Sequence, residues 1–78
     1  MEIREFQDMM RHLYYRRDAE RGVLGTYNWL VEEVGELGDA LNGSDKKELE
    51  REFADVIAWL ASLANIMEVD LETAATTK

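Results

Sequence analysis

The sequence predicts an all-α protein, a small helical bundle completed by dimerisation or tetramerisation. Hydrophobic residues recur at helical spacing along the chain, there is no proline, and turn-forming residues are confined to a few places. With 78 residues and no cysteine, the chain has neither a large core nor disulfides, so we expect association between subunits to stabilise it. Residues 1–78 are expected to form a single domain.

The first predicted helix covers residues 2–15, where apolar residues recur three and four positions apart. Residues 16–25 contain two glycines and a mixture of charges, and we expect them to form a loop. Thr26 is the expected N-cap of a second helix, which is predicted to end near Leu41, before an Asn-Gly pair.

A third helix is predicted to begin after Ser44 or Asp45 and to end near Met67. Glu48 follows Asp45 by three residues, which is the spacing of a capping box. Asp70 is expected to cap a short final helical segment. The elements are therefore helices joined by short turns, and this favours antiparallel packing of neighbours.

The composition excludes several kinds of site and partner. No cysteine and a single histidine, His12, exclude thiolate metal sites and multi-histidine zinc sites. A net charge of −8 argues against nucleic-acid binding through a basic groove. No stretch resembles a membrane span or a signal peptide, so we expect a soluble, cytoplasmic protein with no membrane partner.

Two pairs of carboxylates border the predicted apolar stripes. Glu33 and Glu36 lie beside the stripe of the second helix, and Glu52 and Asp55 lie beside that of the third, at the same three-residue spacing. If the two helices pack antiparallel through their stripes, the pairs converge. The stripes consist of Leu30, Val34, Leu37 and Leu41 in the second helix and of Leu49, Phe53, Val56, Ile57, Leu60 and Ala64 in the third.

Four convergent carboxylates repel one another unless a cation lies among them. Mg²⁺, or Mn²⁺, is the natural occupant, because these ions prefer oxygen ligands and leave positions for water and phosphate oxygens. The alternative is that the acidic residues form a solvated helix surface without an ion. The sequence of the second helix favours the ion site over the solvated surface. Its acidic residues are neighbours of one another on the helix and lack the lysine partners that stabilise a solvated surface.

The third helix is apolar almost all round over residues 53–67. Such a helix is buried on more than one side, so we expect a second subunit to cover part of it. The side opposite the acids, which we expect to face that subunit, carries Ala54, Ala58, Ala61 and Asn65.

The acidic segments resemble a known signature. Residues 32–37, EEVGEL, followed by residues 52–55, EFAD, resemble the EExxE…ExxD motif of the all-α nucleoside triphosphate pyrophosphohydrolases, in particular the MazG-like members. The resemblance extends over about residues 10–75 and includes the aromatic residues beside both halves of the motif. It implies Mg²⁺-dependent hydrolysis of a (deoxy)nucleoside triphosphate to the monophosphate and pyrophosphate, by attack of a metal-activated water on the α-phosphate.

The resemblance also implies roles for individual residues. By motif position the metal ligands are Glu33, Glu36, Glu52 and Asp55. Glu32 is either a further ligand or the residue that orients the water, so Glu32, Glu33 and Glu36 form the candidate catalytic set. Family members work as dimers or dimer-based tetramers, and a homodimer or homotetramer is expected here.

Further side chains are candidates for substrate binding. Trp29 and Trp59 lie beside the acids and are suited to stacking a base, with core packing as the alternative. Bidentate contacts to a triphosphate are suited to arginine, although charge balance explains the loop arginines equally well. The remaining candidates are Arg16, Arg17, Arg21 and Asn65.

Two other functions remain open from the sequence. One is hydrolysis of phosphoribosyl-ATP, within the same superfamily. The other is a non-catalytic helical dimerisation or regulatory module, in which the acids are solvated surface.

Overall fold

The computed structural model describes residues 1–78 and is all-α, as the sequence predicts, with three helices and no strand. Helix α1 spans Ile3–Ala40, α2 spans Lys46–Ile66 and α3 spans Leu71–Thr76. None of the three combines the length and the apolar character needed to cross a membrane.

The prediction of a loop over residues 16–25 is wrong, because α1 continues through this segment and departs from helical geometry only at Gly22. A straight helix of 38 residues would be about 57 Å long, whereas the longest dimension of the molecule is 36 Å. Helix α1 therefore bends sharply at Gly22 into an N-terminal half, residues 3–21, and a C-terminal half, residues 23–40.

Gly22 permits this bend because its φ of 86° and ψ of 173° lie in a region that is essentially restricted to glycine. Thr26 is consequently not the start of a helix. It is fully buried, and its Oγ1 accepts a hydrogen bond of 3.3 Å from Arg21 Nη1. The second glycine of this segment, Gly25, lies within the regular helix.

The boundaries of α2 and α3 agree with the sequence. Of the two candidate N-caps of α2, Asp45 is the one observed, and its carboxylate accepts from the backbone N–H groups of Lys47 and Glu48. Asp70 caps α3 by accepting from the backbone N–H of Thr73 at 3.2 Å. These caps satisfy backbone donors that have no partner within their own helices.

Buried hydrogen bonds attach the start of α1 to the end of α2. Gln7 Nε2 donates to Asn65 Oδ1 at 3.0 Å and to the backbone oxygen of Val69 at 2.7 Å. In return, Asn65 Nδ2 donates to the backbone oxygen of Gln7 at 3.2 Å, and Gln7 Oε1 accepts from the backbone N–H of Leu71. Every polar atom of the Gln7 and Asn65 side chains thus has a partner within the chain.

The predicted apolar stripes are only partly buried, which corrects the expected position of the core. Leu30, Leu37 and Val56 are half-buried, but Val34 is 49% and Phe53 54% exposed. The side of α2 that was expected to face a second subunit instead packs within the chain. There, Ala61 and Asn65 are buried and Ala58 is half-buried.

One group of exposed apolar residues lies on the same side of the pair formed by the C-terminal half of α1 and α2. In the C-terminal half of α1 and in α2 they follow the inward-facing residues by one position, which is a rotation of about 100°. Because the two segments are antiparallel, the same rotation carries both sets to the same side of the pair. This surface, the apolar face, consists of Leu24, Tyr27, Val31 and Val34 from α1 and Phe53, Ile57 and Leu60 from α2, each between 40% and 77% exposed.

Candidate metal and nucleotide site

Three carboxylates from two helices meet on the side of the molecule away from the apolar face. One oxygen each of Glu33 and Glu36, from α1, and of Glu52, from α2, lie within 4.8 Å of one another. Glu36 is exposed and Glu52 is half-buried, whereas Oε2 of Glu33 has no contact with solvent and no hydrogen-bond partner. Antiparallel packing brings these side chains together because each lies at the border of its helix contact.

The environment of Glu33 opposes its negative charge. Loss of hydration raises the pKa of Glu33 to about 7, with further contributions from the adjacent carboxyl group of Glu36 and from the charges of Asp55 and Glu52. Loss of hydration and the nearby charges of Glu36 and Asp55 also raise the pKa of Glu52 above its usual value. The carboxylates therefore repel one another in the metal-free protein.

Asp55 belongs to this neighbourhood but not to the tightest group. Its charge acts on both Glu33 and Glu52, although its oxygens are not among those within 4.8 Å of one another. Glu32 is exposed and likewise lies outside the group of three. The structure thus brings together three of the four residues that the sequence motif indicates as ligands, with the fourth nearby.

This donor set fits a hard divalent cation. All the available atoms are carboxylate oxygens, which Mg²⁺ and Mn²⁺ prefer, and the buried Oε2 of Glu33 lacks any other partner. A cation among the three carboxylates would supply that partner and offset their repulsion. Because Glu36 is exposed, a ligand arriving from solvent reaches the group from that side.

Two tryptophans stack beside the carboxylates. The rings of Trp29 and Trp59 lie 5.5 Å apart, with an angle of 10° between their planes. The guanidinium of Arg21 lies over the Trp59 ring, 4.7 Å from its centroid, and also donates to Asp18 Oδ1 at 2.9 Å. Trp59 is thus held by two stacking partners, whereas Trp29 is 46% exposed and leaves more of its ring accessible.

The other candidate substrate-binding residues are dispersed. Arg17 lines a cavity between the N-terminal half of α1 and α2. Arg16 is almost fully exposed and pairs with Glu20 at 3.5 Å. Asn65 is buried by Gln7 and lies ten residues beyond Asp55, about 15 Å farther along α2. The structure places Arg17 and Arg21 near Trp59, and Arg16 and Asn65 elsewhere.

Comparison with known families decides the classification. The family model of the MazG nucleotide pyrophosphohydrolase domain matches residues 21–78. The chain belongs to the MazG family. The match includes all the carboxylates of the candidate site and both tryptophans. A comparison with curated proteins found no match.

In this MazG domain, sequence reasoning missed one residue with the attributes of a functional group. Asp18 is 2% exposed, and its Oδ2 has no hydrogen-bond partner. Asp18 was overlooked because residues 16–25 were expected to form a loop, where its charge balances those of the neighbouring arginines. Once residues 3–21 are known to be helical, helical spacing places Met10, Tyr14, Asp18 and Arg21 on one side of the helix, facing the same cavity.

Proposed function

We propose that this protein hydrolyses (deoxy)nucleoside triphosphates to the monophosphate and pyrophosphate in a reaction that depends on Mg²⁺. The observation that carries the proposal is the buried, unpartnered Oε2 of Glu33 within a group of three carboxylates. Membership of the MazG nucleotide pyrophosphohydrolase family supports the same reaction class.

In this proposal Glu33, Glu36 and Glu52 hold the cation and Asp55 completes the ligand set. When bound, Mg²⁺ would neutralise charge on the phosphate oxygens and increase the acidity of water at the α-phosphorus. The protein residues fix the position of the substrate. Glu32 is exposed one position before Glu33, where its carboxylate is available to orient the attacking water and to accept its proton.

Trp29 and Trp59 support the assignment of a nucleotide as the substrate. Their parallel rings lie beside the acidic group, since Trp29 precedes Glu33 by four residues and Trp59 follows Asp55 by four. An aromatic surface one helical turn from the carboxylates that would bind the phosphates is suited to contact the base or sugar of a nucleotide. Arg17 and Arg21 provide positive charge on the same side.

We also propose that residues 1–78 act as one domain and associate as a homodimer or homotetramer through the apolar face. Residues 1–20 lie outside the family match, but the hydrogen bonds of Gln7 attach them to α2 and to the start of α3. Only nine of the 78 residues are buried, so a core within one subunit stabilises the chain little. Burial of the apolar face between copies would supply the missing hydrophobic contacts.

Two measurements test the proposed reaction. Millimolar Mg²⁺ or Mn²⁺ should raise the melting temperature more than Na⁺ or Ca²⁺ does, because only the smaller divalent ions match the carboxylate group. Pyrophosphate release should then be measured over common and modified nucleoside triphosphates, with phosphoribosyl-ATP in the same panel. Release from phosphoribosyl-ATP alone would favour the related activity, and release from no compound would favour a regulatory module.

Glu36→Gln provides the matched variant for this assay. The substitution keeps the size and the exposed position of the side chain but removes a charged ligand, so pyrophosphate release should fall by about 100-fold or more. Helical content should stay unchanged. Glu50→Gln removes an equally exposed charge outside the site and should retain activity. Near-parental turnover in Glu36→Gln would show that the site is wrongly assigned.

A further inference from the structure

A cavity of about 290 Å³ lies between the N-terminal half of α1 and α2. Its wall includes Trp59, which follows Asp55 by about 6 Å along α2. The volume is large enough for a planar heterocycle, and the lining combines apolar and charged groups as small-molecule sites do. The residues that line it include Met10, Tyr14, Asp18, Arg21, Ala58 and Trp59.

Among the residues that line this cavity, Asp18 carries a buried polar atom without a partner. Its side chain is 3% exposed. Oδ1 accepts a hydrogen bond of 2.9 Å from Arg21 Nη1, but Oδ2 is buried without any donor. A buried acceptor without a donor is costly, so such atoms usually have a partner in the functional state.

Arg21 fixes the orientation of this carboxylate. Its guanidinium is held on three sides, by Asp18 Oδ1, by Thr26 Oγ1 and by the ring of Trp59. Because Oδ1 is engaged by Arg21, the free oxygen Oδ2 is an acceptor of defined direction. A ligand in the cavity that carries an N–H group would satisfy it.

We propose that this cavity holds the nucleobase of the substrate and that Asp18 selects bases carrying an exocyclic amino group. This inference rests on the proposed function, which places the phosphates at the acidic group. A nucleotide whose phosphates lie there and whose base extends past Trp59 enters the cavity. Asp18 Oδ2 then accepts from the amino group, with Met10 and Tyr14 against the base.

The preference follows from the pattern of donors on the bases. An exocyclic amino group, such as that of cytosine, offers hydrogens to an acceptor, whereas uracil has a carbonyl oxygen at the same position. A carbonyl oxygen facing Asp18 Oδ2 would leave both acceptors unpaired and would bring two negative atoms together. A site built to bind a donor at the position of the exocyclic group rejects the analogue that carries an acceptor there.

Nucleoside binding to the metal-free protein tests this proposal separately from catalysis. Cytidine and uridine, which differ at the position in question, are titrated in the presence of EDTA and followed by tryptophan fluorescence, since the chain has only two tryptophans. Cytidine should bind at least tenfold more tightly than uridine. Ribose 5-phosphate, which has no base, should cause no change.

Asp18→Asn is the decisive variant, because its amide oxygen can accept from Arg21 while its NH₂ group replaces the free acceptor by a donor. The binding preference should shift toward uridine. If Asp18 had a purely structural role, the substitution would weaken the binding of both nucleosides equally. Glu20→Gln removes the same charge from an exposed position two residues away and should leave the preference unchanged. An unaltered ratio in Asp18→Asn would overturn the proposal, as would failure of both nucleosides to bind.

Ala58→Met decides the question if Asp18→Asn does not fold. The longer side chain fills the cavity from α2 and leaves the Asp18 carboxylate in place, so cytidine binding should be lost; retained binding would overturn the proposal. Suppose that the protein hydrolyses nucleoside triphosphates with a ratio of kcat/KM for CTP to kcat/KM for UTP that Asp18→Asn does not change. That result would refute this inference and leave the proposed function standing. Cytidine binding that depends on Asp18, in a protein that hydrolyses no nucleoside triphosphate, would support this inference and refute the proposed function.

Discussion

Glu33 is the residue at which the physical demands of the site are most apparent. One of its oxygens is buried without a partner, and three neighbouring carboxylates act on its charge. A protein stabilised for folding alone would carry an apolar or amide side chain at this position. The cation site proposed above would account for it, because a bound cation would convert mutual repulsion of the carboxylates into shared coordination.

The raised pKa of Glu33 predicts how stability depends on pH in the absence of metal. The folded pKa of about 7 exceeds the ordinary value of 4.5, so between these values the folded state holds a proton that the unfolded state has lost. Stability should therefore decrease as pH rises from about 4.5 to 7. The melting temperature measured in EDTA from pH 5 to pH 8 reports this dependence.

Glu33→Gln should flatten this part of the pH profile and raise the melting temperature at pH 8 in EDTA. Mg²⁺ at pH 8 should stabilise the parental protein, but not this variant. Asp39→Asn removes an exposed acid of the same helix and serves as the control. If Glu33→Gln follows the parental pH profile, the burial of Glu33 does not govern its protonation.

At the scale of the helices, the sequence predicted those ends that side chains specify locally. Asp45 and Asp70 cap α2 and α3 as expected, because a cap depends on one side chain and the next few backbone groups. The segment 16–25 was misjudged since glycine and mixed charges are also compatible with a helix that packing supports. Gly22 bends the chain there, while Gly25 remains helical.

Gly22→Ala tests the origin of the bend in α1. A Cβ at this position meets no atom within 4 Å, so the expected loss of about 1–3 kcal/mol comes from the backbone conformation alone. Gly38→Ala is the matched control, since it is also free of contacts but lies in regular helix, and it should stabilise the protein by up to about 1 kcal/mol. Urea unfolding of both variants measures the difference. Equal effects would mean that Gly22 has no special conformation.

The attachment of α3 depends on ion pairs with the start of α1. Arg4 contacts Asp70 at 2.7 Å and Glu72 at 3.0 Å. Hydrogen bonds from Arg4 and Thr73 lower the pKa of Asp70 to about 2. Because this value lies below the ordinary 3.8, the stabilising contribution is present above about pH 4 and is lost as pH falls toward 2.

Asp70→Asn should therefore loosen α3 at neutral pH and have little effect near pH 2. Hydrogen exchange of the α3 amides measures the attachment directly. Asp8→Asn, which removes an exposed acid of α1 without an ion pair, should leave exchange unchanged. Faster exchange in both variants would assign the effect to net charge and not to the Arg4 contact.

At the scale of the whole molecule, the sequence indicated the family of the chain better than the packing of its helices. The acidic residues could be located because their spacing and their position beside apolar stripes are local properties. Which side of each helix is buried could not be predicted, since this depends on where the N-terminal half of α1 lies. That half covers the side of α2 around Ala61 and Asn65, and Phe53 and Ile57 are left exposed on another side.

Ile57→Glu tests whether the apolar face joins subunits. Ile57 is 46% exposed on that face, and a charge there would be desolvated by association, so the variant should sediment near the 9.0 kDa mass of one chain. The parental protein should sediment at a multiple of this mass, with a melting temperature that rises with concentration. Leu13→Glu introduces the same charge at an exposed apolar position outside the face and should not change the assembly. A parental protein that is monomeric at all concentrations would show that the apolar face does not join copies of the chain.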